Sequence, residues 1–313
     1  MRDKAVVVTG GAGFIGSHVV ERLLRGGWTV TIIDDLSAGS RRNVTPLLRH
    51  RRCALEVGDV RQRRFLDGVL RRRDPSVVIH LAALHFIPYC VQHPDRTLSV
   101  NVLGTQAVIG AAAEASVARV VVASTADVYA PSARAHRETD RMAPLNVYGV
   151  SKMFAEQLVA AAARAGSRRA FRIVRLFNTF GPRQPVPHLI PHVIAEARRR
   201  SVIALGNVTP RRDFVYVGDV ARALCRLAER PARAGVEVFN VGSGEGRTVR
   251  EVVDRLADVV GRPLIVRQVA ARMRRVERPS LVADIRKIRR AVGWSPRTPF
   301  EDGLAATWRA EAG

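Results

Sequence analysis

Ala5-Val6-Val7-Val8-Thr9-Gly10-Gly11-Ala12-Gly13-Phe14-Ile15-Gly16 decides the fold of this chain. A short apolar, β-branched run leads directly into glycines, and Ile15, Val19, Val20, Leu23 and Leu24 then recur at helical spacing until Gly26-Gly27 ends the helix. Gly10, Gly13 and Gly16 stand in a G-x-x-G-x-x-G pattern between strand and helix. Without Cβ atoms the backbone turns tightly and can approach a pyrophosphate, to which the helix N-terminus offers free N–H groups and positive dipole. Thr29 to Ile33 reads as the next strand and ends on Asp34-Asp35. Asp34 lies 18 residues beyond Gly16, where a carboxylate accepts bonds from ribose hydroxyls and repels a 2′-phosphate, which selects NAD over NADP.

The same alternation continues outward. Leu55–Val57, Val77–Leu81, Val120–Ala123 and Phe171–Leu176 read as strands, and Leu98–Ala115 and Tyr148–Ala165 as long helices. Wholly apolar strands separated by helices predict an α/β fold, a Rossmann-type doubly wound parallel sheet covered on both faces. After Gly181 the texture changes, with Pro182, Pro185, Pro187 and Pro191 punctuating a loop-rich stretch, and strand–helix material returns at Phe214–Glu229 and Val238–Val241. The expected organisation is an NAD-binding domain over 1–176, rejoined by 213–242, with a smaller interleaved C-terminal substrate-binding lobe from 177–212 and 243–313.

The chain has 313 residues, ample for a core of this kind, and a net charge of +23. Only three of its 51 basic residues are lysine, and the arginines are spread from Arg2 to Arg309. That dispersal argues against a nucleic-acid footprint and suits an anionic substrate drawn in by positive potential. No apolar run is long enough for a bilayer, so no membrane partner is expected. The start of the chain does not read as a signal peptide, and Cys53, Cys90 and Cys225 lie far apart without metal-ligand spacing. The expectation is a cytoplasmic protein with no metal.

Tyr148-Gly149-Val150-Ser151-Lys152 places Tyr and Lys four residues apart, on one face of a helix. A free phenol is too weak an acid to act as a base at neutral pH, and a neighbouring ammonium is expected to lower its pKa. The lysine can also hold a nicotinamide ribose. Ser124-Thr125-Ala126-Asp127 follows a buried strand, where a hydroxyl could assist the tyrosine.

Together these residues resemble the extended short-chain dehydrogenase/reductases, specifically the sugar-nucleotide epimerase/dehydratase family. The resemblance runs through Gly58-Asp59-Val60, His80-Leu81-Ala82-Ala83, Asn101-Val102-Leu103-Gly104-Thr105, Arg175 to Arg183, Arg212 to Val217 and Ala283-Asp284-Ile285, in the family's order. It implies NAD as cofactor, contacted by Gly10, Gly13, Phe14, Ile15, Gly16, Asp34, Asp35, Asp59, Val60, Leu81, Ala82, Ala83, Asn101, Tyr148 and Lys152. It implies a catalytic triad of Thr125, Tyr148 and Lys152. It also implies a UDP-sugar substrate, with Asn178, Arg212 and an arginine of 272–275, Arg274 being the choice, on the diphosphate. His85 is a candidate to face the sugar. The family is commonly a homodimer, paired through the helices near 98–115 and 148–165.

Family members share hydride transfer from the sugar C4 to NAD and differ in the fate of the 4-keto sugar it produces. Dehydratases carry Asp-Glu after the threonine and decarboxylases carry Glu at the second position, whereas this chain has Ala126-Asp127. Epimerases carry a small neutral residue at that second position. The missing acid favours a UDP-sugar 4-epimerase, with Asp127 as a catalytic candidate should the chain be a 4,6-dehydratase or a UDP-glucuronate decarboxylase. Ile87-Pro88-Tyr89 and Gly206 to Phe214 resemble UDP-N-acetylglucosamine 4,6-dehydratases, a likeness that speaks to ligand class. A non-catalytic NAD-binding or nucleic-acid-associated protein stands as the remote alternative.

Overall fold

The structure is a computed structural model and describes residues 4–185, 187–231, 233–273 and 278–311. Strands and helices alternate through the first half: β1 (Ala5–Thr9), α1 (Phe14–Arg25), β2 (Thr29–Asp34), α2 (Arg41–Leu48), β3 (Cys53–Val57), α3 (Arg63–Arg73), β4 (Val77–His80), α4 (Ile87–Gln92) and α5 (Pro94–Leu98). A π-helical turn, Ser99–Leu103, leads into α6 (Gly104–Glu114), followed by β5 (Arg119–Thr125), the 3-10 turn Ala126–Val128, α7 (Val147–Arg164) and β6 (Ala170–Leu176). The second half holds β7 (Asn178–Phe180), α8 (Leu189–Ala197), β8 (Val202–Leu205), β9 (Arg211–Tyr216), α9 (Val217–Glu229), β10 (Gly235–Val241), β11 (Gly246–Thr248), α10 (Val249–Val260), β12 (Ile265–Gln268), β13 (Ser280–Leu281), α11 (Arg286–Val292) and α12 (Phe300–Ala310).

The chain divides into two compact units. The first comprises Met1–Ala130, Arg141–Leu176 and Ala221–Phe239. Its seven-stranded sheet runs β10-β6-β5-β4-β1-β2-β3. β1 pairs in parallel with both β2 and β4, so the strand order reverses there, with Thr9 opposite Ile33 on one side and His80 on the other. A parallel sheet covered on both faces needs strands that are apolar throughout, and Val6–Val8, Ile32–Ile33, Val77–Ile79 and Val120–Val122 are buried. One core cluster joins Val7, Ile33, Val78 and Val122 of the sheet to Leu66, Val69, Ile109 and Val159 of α3, α6 and α7.

The second unit comprises Pro131–Asp140, Phe177–Val220 and Asn240–Gly313. The segment 131–140 joins it because His136 N donates to Val282 O and Asp284 N donates to His136 O. The rejoining piece of the first unit is 221–239, narrower than the 213–242 read from the sequence. β9 lies between β11 and β13, with β7 pairing alongside, and β8 pairs with β12 as a separate ribbon. Phe180, Ile190, Val193, Phe214, Val253, Leu256, Phe300 and Leu304 form this unit's core. No helix of the described residues is long and apolar enough to cross a membrane.

Candidate active site

Open α/β sheets bind ligands beyond the carboxyl ends of their strands, where the strand order reverses. Here that point lies between β1 and β4, and the glycine turn occupies it. Gly10 has φ +70°, a left-handed conformation natural to glycine, and a Cβ there would sit 2.6 Å from Ala82 N. The turn and the loop after β4 therefore pack backbone to backbone. Gly13 is different: it begins α1 in extended conformation, and an added Cβ would meet only the carbonyl of Gly10 within 4 Å. No side chain caps α1 and no acid stands in its first turn. The uncovered amides of Phe14, Ile15 and Gly16 thus form the donor set that a pyrophosphate requires, and these residues fit a dinucleotide.

Asp34 ends β2, 5 % exposed. One carboxylate oxygen accepts from Ala12 N and the other from Leu36 N, each at 2.9 Å. Burial raises its pKa and those two amides oppose the shift. A lone pair on each oxygen is left for ribose hydroxyls. Asp35 is exposed and engaged in its own turn, accepting from Ser37 N and Oγ. Asp59 is gripped by the Arg61 guanidinium, which lowers its pKa, while Val60 is buried.

Leu81, Ala82 and Ala83 form the loop after β4, and a buried polar chain fixes it. Thr105 Oγ1 donates to Asn101 O at 2.6 Å, which leaves that hydroxyl oxygen to accept from His80 Nε2 at 3.1 Å. His80 Nδ1 then accepts from Thr9 Oγ1 at 2.7 Å. Burial first, and then the charge of Lys152, push His80 down to about 3, so the ring stays neutral. The family resemblance puts Asn101 at the cofactor, but its amide is engaged by protein. Its Oδ1 accepts from Leu84 N, and its Nδ2 donates to Leu84 O and to Ser151 Oγ. Asn101 therefore holds the loop to α7, and the π-helical turn that carries it splits the single helix read over 98–115. His85, just beyond, is exposed.

The Tyr–Lys pair lies on α7 as its spacing requires. Asn146 caps the helix through Gly149 N, and Ser151 Oγ donates to Tyr148 O. Gly149 has a contact reason to lack a side chain, since a Cβ would lie 2.7 Å from Asp127 O. That approach brings the turn after β5 against the start of α7. The Thr125 hydroxyl bonds the Tyr148 phenol and also accepts from Asp127 N at 3.2 Å.

The expected depression of the Tyr148 pKa is not what the chain's own groups produce. Burial raises it strongly, the Asp127 carboxylate raises it further, and only the Thr125 bond pulls it down. An anion is costly in so enclosed a place. Lys152 is 2 % exposed, and burial pushes it down to about 8 against the upward pull of Glu156. Between pH 8 and its ordinary 10.5 the folded chain has lost a proton that the unfolded chain keeps. Stability contributed by Lys152 therefore rises with pH across that window, by up to about 1.4 kcal/mol per unit. Urea unfolding of wild type and Lys152→Met from pH 7 to 10.5 should show the wild type gaining on the variant; parallel curves would contradict the buried ammonium.

In the second unit, Asn178 begins β7, is exposed, and pairs with Phe214. Arg212 lies on β9, partly buried, donating to Arg278 O at 2.8 Å. Asp213 beside it is buried and gathers Ser243 N, Ser243 Oγ, Gly244 N and Ala283 N. It thereby ties β9 to two loops. Arg274 lies outside the described residues, and neighbouring Arg272 bonds Ala204 O and His192. Sequence reasoning names Ser124 and Arg175 only within longer segments and passes over Glu156, to which both are hydrogen-bonded in a buried polar cluster. Glu156 on the inner face of α7 is the legible signal, being four residues past the lysine.

A parallel sheet with a glycine turn at its switch point and a Tyr–Lys pair on a flanking helix defines the short-chain dehydrogenase/reductase class. Residues 6–242 match the model of the NAD dependent epimerase/dehydratase family, and the chain belongs to that family. It is 33% identical to a UDP-glucose 4-epimerase of Rhizobium leguminosarum bv. trifolii, over 98% of this chain and 97% of the relative. Among solved structures it is similar to MoeE5 in complex with UDP-glucose and NAD, 33% identical with a TM-score of 0.86 over 98% of each chain. It is also similar to a UDP-glucose-4-epimerase from Stenotrophomonas maltophila with bound NAD and formylated UDP-arabinopyranose. That match is 26% identical with a TM-score of 0.92, over 99% of this chain and 98% of the other.

Proposed function

We propose that the chain is an NAD-dependent nucleotide-sugar 4-epimerase acting on a UDP-sugar through a transient 4-keto form. The observation that carries this reading is the Thr125–Tyr148 hydrogen bond with the buried Lys152 one turn further along the same helix face. It is supported by likeness, over nearly the whole length, to proteins named UDP-glucose 4-epimerase. NAD, when bound at the glycine turn, supplies the acceptor for the C4 hydride and its return. Tyr148 takes the proton of the sugar 4-hydroxyl and gives it back, with Thr125 holding the phenol in line. The Lys152 ammonium holds the ribose and favours the phenolate against burial and Asp127. Asp34 selects the unphosphorylated ribose. Asn178, Arg212 and an arginine of 272–275 bind the diphosphate, so the first unit is the NAD domain and the second the nucleotide-sugar lobe.

Asp127 supports a second reading, elimination of water or carbon dioxide from the 4-keto sugar, because its carboxylate stands close enough to Tyr148 to raise its pKa. The deciding experiment incubates the protein with NAD and UDP-glucose, UDP-N-acetylglucosamine or UDP-glucuronate in D₂O, with products read by mass spectrometry and NMR. An isomer of unchanged mass without solvent deuterium supports epimerisation, since the hydride only shuttles. Loss of water or carbon dioxide, with deuterium entering the sugar, overturns it in favour of Asp127 chemistry.

The protein is further proposed to be a cytoplasmic homodimer paired through the helices at 99–114 and 147–164. Leu103 and Phe154 on those segments are 54% and 46% exposed, large apolar side chains of the kind an interface covers. Phe154→Glu should convert a dimer to a monomer in sedimentation velocity; an unchanged sedimentation coefficient would remove this face from the interface.

A further inference from the structure

Tyr148, Lys152 and Glu156 recur every four residues on α7, so they rise along one face of the helix. The first two belong to the proposed chemistry; the third does not. Glu156 is 4 % exposed, a rare position for a carboxylate unless it is paired. Its partners come from two strands. Arg175 of β6 donates from Nε to Oε1 at 3.0 Å and from its terminal nitrogen to Oε2 at 2.7 Å, a two-pronged grip. Ser124 of β5, next to Thr125, donates to Oε1 at 2.5 Å. Arg175 is itself 3 % exposed, lies over the Tyr129 ring at 4.8 Å, and its terminal nitrogen reaches Met142 Sδ.

Such a cluster is expensive to bury, and packing alone would be served as well by apolar side chains. Its placement suggests what it is for. Around Lys152 stand Tyr148 and Glu156 on its own helix, His80 on β4 and His85 beyond it, while Asp127 and Cys90 face Tyr148. His80 is neutral, and among these groups Glu156 is the one whose charge opposes the loss of the Lys152 proton. We propose that Glu156, clamped by Arg175 and Ser124, is the buried counter-ion of Lys152, a positioning residue that keeps the ammonium charged and fixed on the active face. Arg175 and Ser124 hold the carboxylate at the right depth, so the strand carrying Thr125 and the helix carrying Tyr148 and Lys152 are joined by one charged node. The inference rests on the reading of Lys152 as a working residue of the site, but its test does not.

The chain holds only three lysines, Lys4, Lys152 and Lys287. Protein labelled with ¹³Cε-lysine therefore gives three signals, and the one lost in Lys152→Met assigns itself. In wild type the Lys152 signal should titrate near pH 8, as burial dictates. In Glu156→Gln the midpoint should fall by about one unit, the effect of losing an opposite charge one helical turn away. Ser124→Ala keeps both charges and should leave the midpoint near that of wild type. Should Glu156→Gln fail to fold with Arg175 unpaired, the double variant Glu156→Leu/Arg175→Met removes both charges together, and a smaller downward shift is expected, because the cation leaves with the anion. A Lys152 midpoint unmoved by either variant overturns the proposal, as does a fall in Ser124→Ala as large as that in Glu156→Gln. If the midpoint shifts but no UDP-sugar is turned over, the proposed function fails and the counter-ion stands.

Discussion

Tyr148→Phe should lower kcat by about 10³-fold, within the ~10²–10⁴ that general acid–base catalysis contributes, while NAD binding stays near that of wild type. The substitution removes one oxygen and keeps the ring, so the partly exposed helix face and the Thr125 strand need not move. What is lost is the proposed proton carrier. Burial and Asp127 both resist the phenolate, and of the chain's own groups the Thr125 bond opposes them. A companion substitution separates these contributions. Asp127→Asn removes an anion facing the phenol and should move the rising limb of the pH–rate profile to lower pH, because the phenolate then forms more readily. Steady-state assays and NAD fluorescence titration read both variants. A Tyr148→Phe enzyme with most of its activity would take the tyrosine out of the chemistry.

Gly10→Ala should cost roughly 2–5 kcal/mol of stability, the sum of an L-residue forced to positive φ (~1–2 kcal/mol) and of overpacking (~1–3 kcal/mol). At φ +70° the new methyl would lie 2.6 Å from Ala82 N and 2.8 Å from its Cα, and backbone has no rotamer with which to yield. The loop after β4 must therefore retreat, and with it the wall expected to line the cofactor. For a unit of this size the melting temperature should fall by about 4–20 °C, at about 2–4 °C per kcal/mol, and NAD affinity should weaken at least about tenfold, a further ~1.4 kcal/mol. Differential scanning calorimetry and isothermal titration check both numbers. An unchanged melting temperature would mean that the turn and the loop do not pack as described.

Much of this is legible in the chain because the signals are local. The strand–glycine–helix junction at 5–25 needs no distant residue to be read, since φ > 0 and an uncapped helix start are properties of a few consecutive residues. The apolar strands announce a covered parallel sheet, and the Tyr148–Lys152 spacing announces a shared face. Periodicity runs one helix across 98–115, because it cannot see that a buried Asn101 takes its bonds from Leu84 and Ser151 and winds the backbone into a π turn. Most strands of the second unit escape it as well. β7, β11 and β13 are only two or three residues long, too short for any alternation to register. The segment 131–140 carries no apolar period and is recruited to the second unit by the hydrogen bonds of His136.

The sequence by itself determined the architecture of the first unit, the strand–glycine–helix turn and the shared helix face of Tyr148 and Lys152, since each follows from residues adjacent along the chain or one helical turn apart. Only the tertiary structure decided the electrical state of that pair. Whether the phenol of Tyr148 is eased or resisted, and whether Lys152 keeps its proton, depends on burial and on Asp127, Thr125 and Glu156. Arg175 and Ser124, which hold Glu156, reach it from two other strands. Charges act through space and desolvation acts through enclosure, and neither is written in the spacing of residues along the chain.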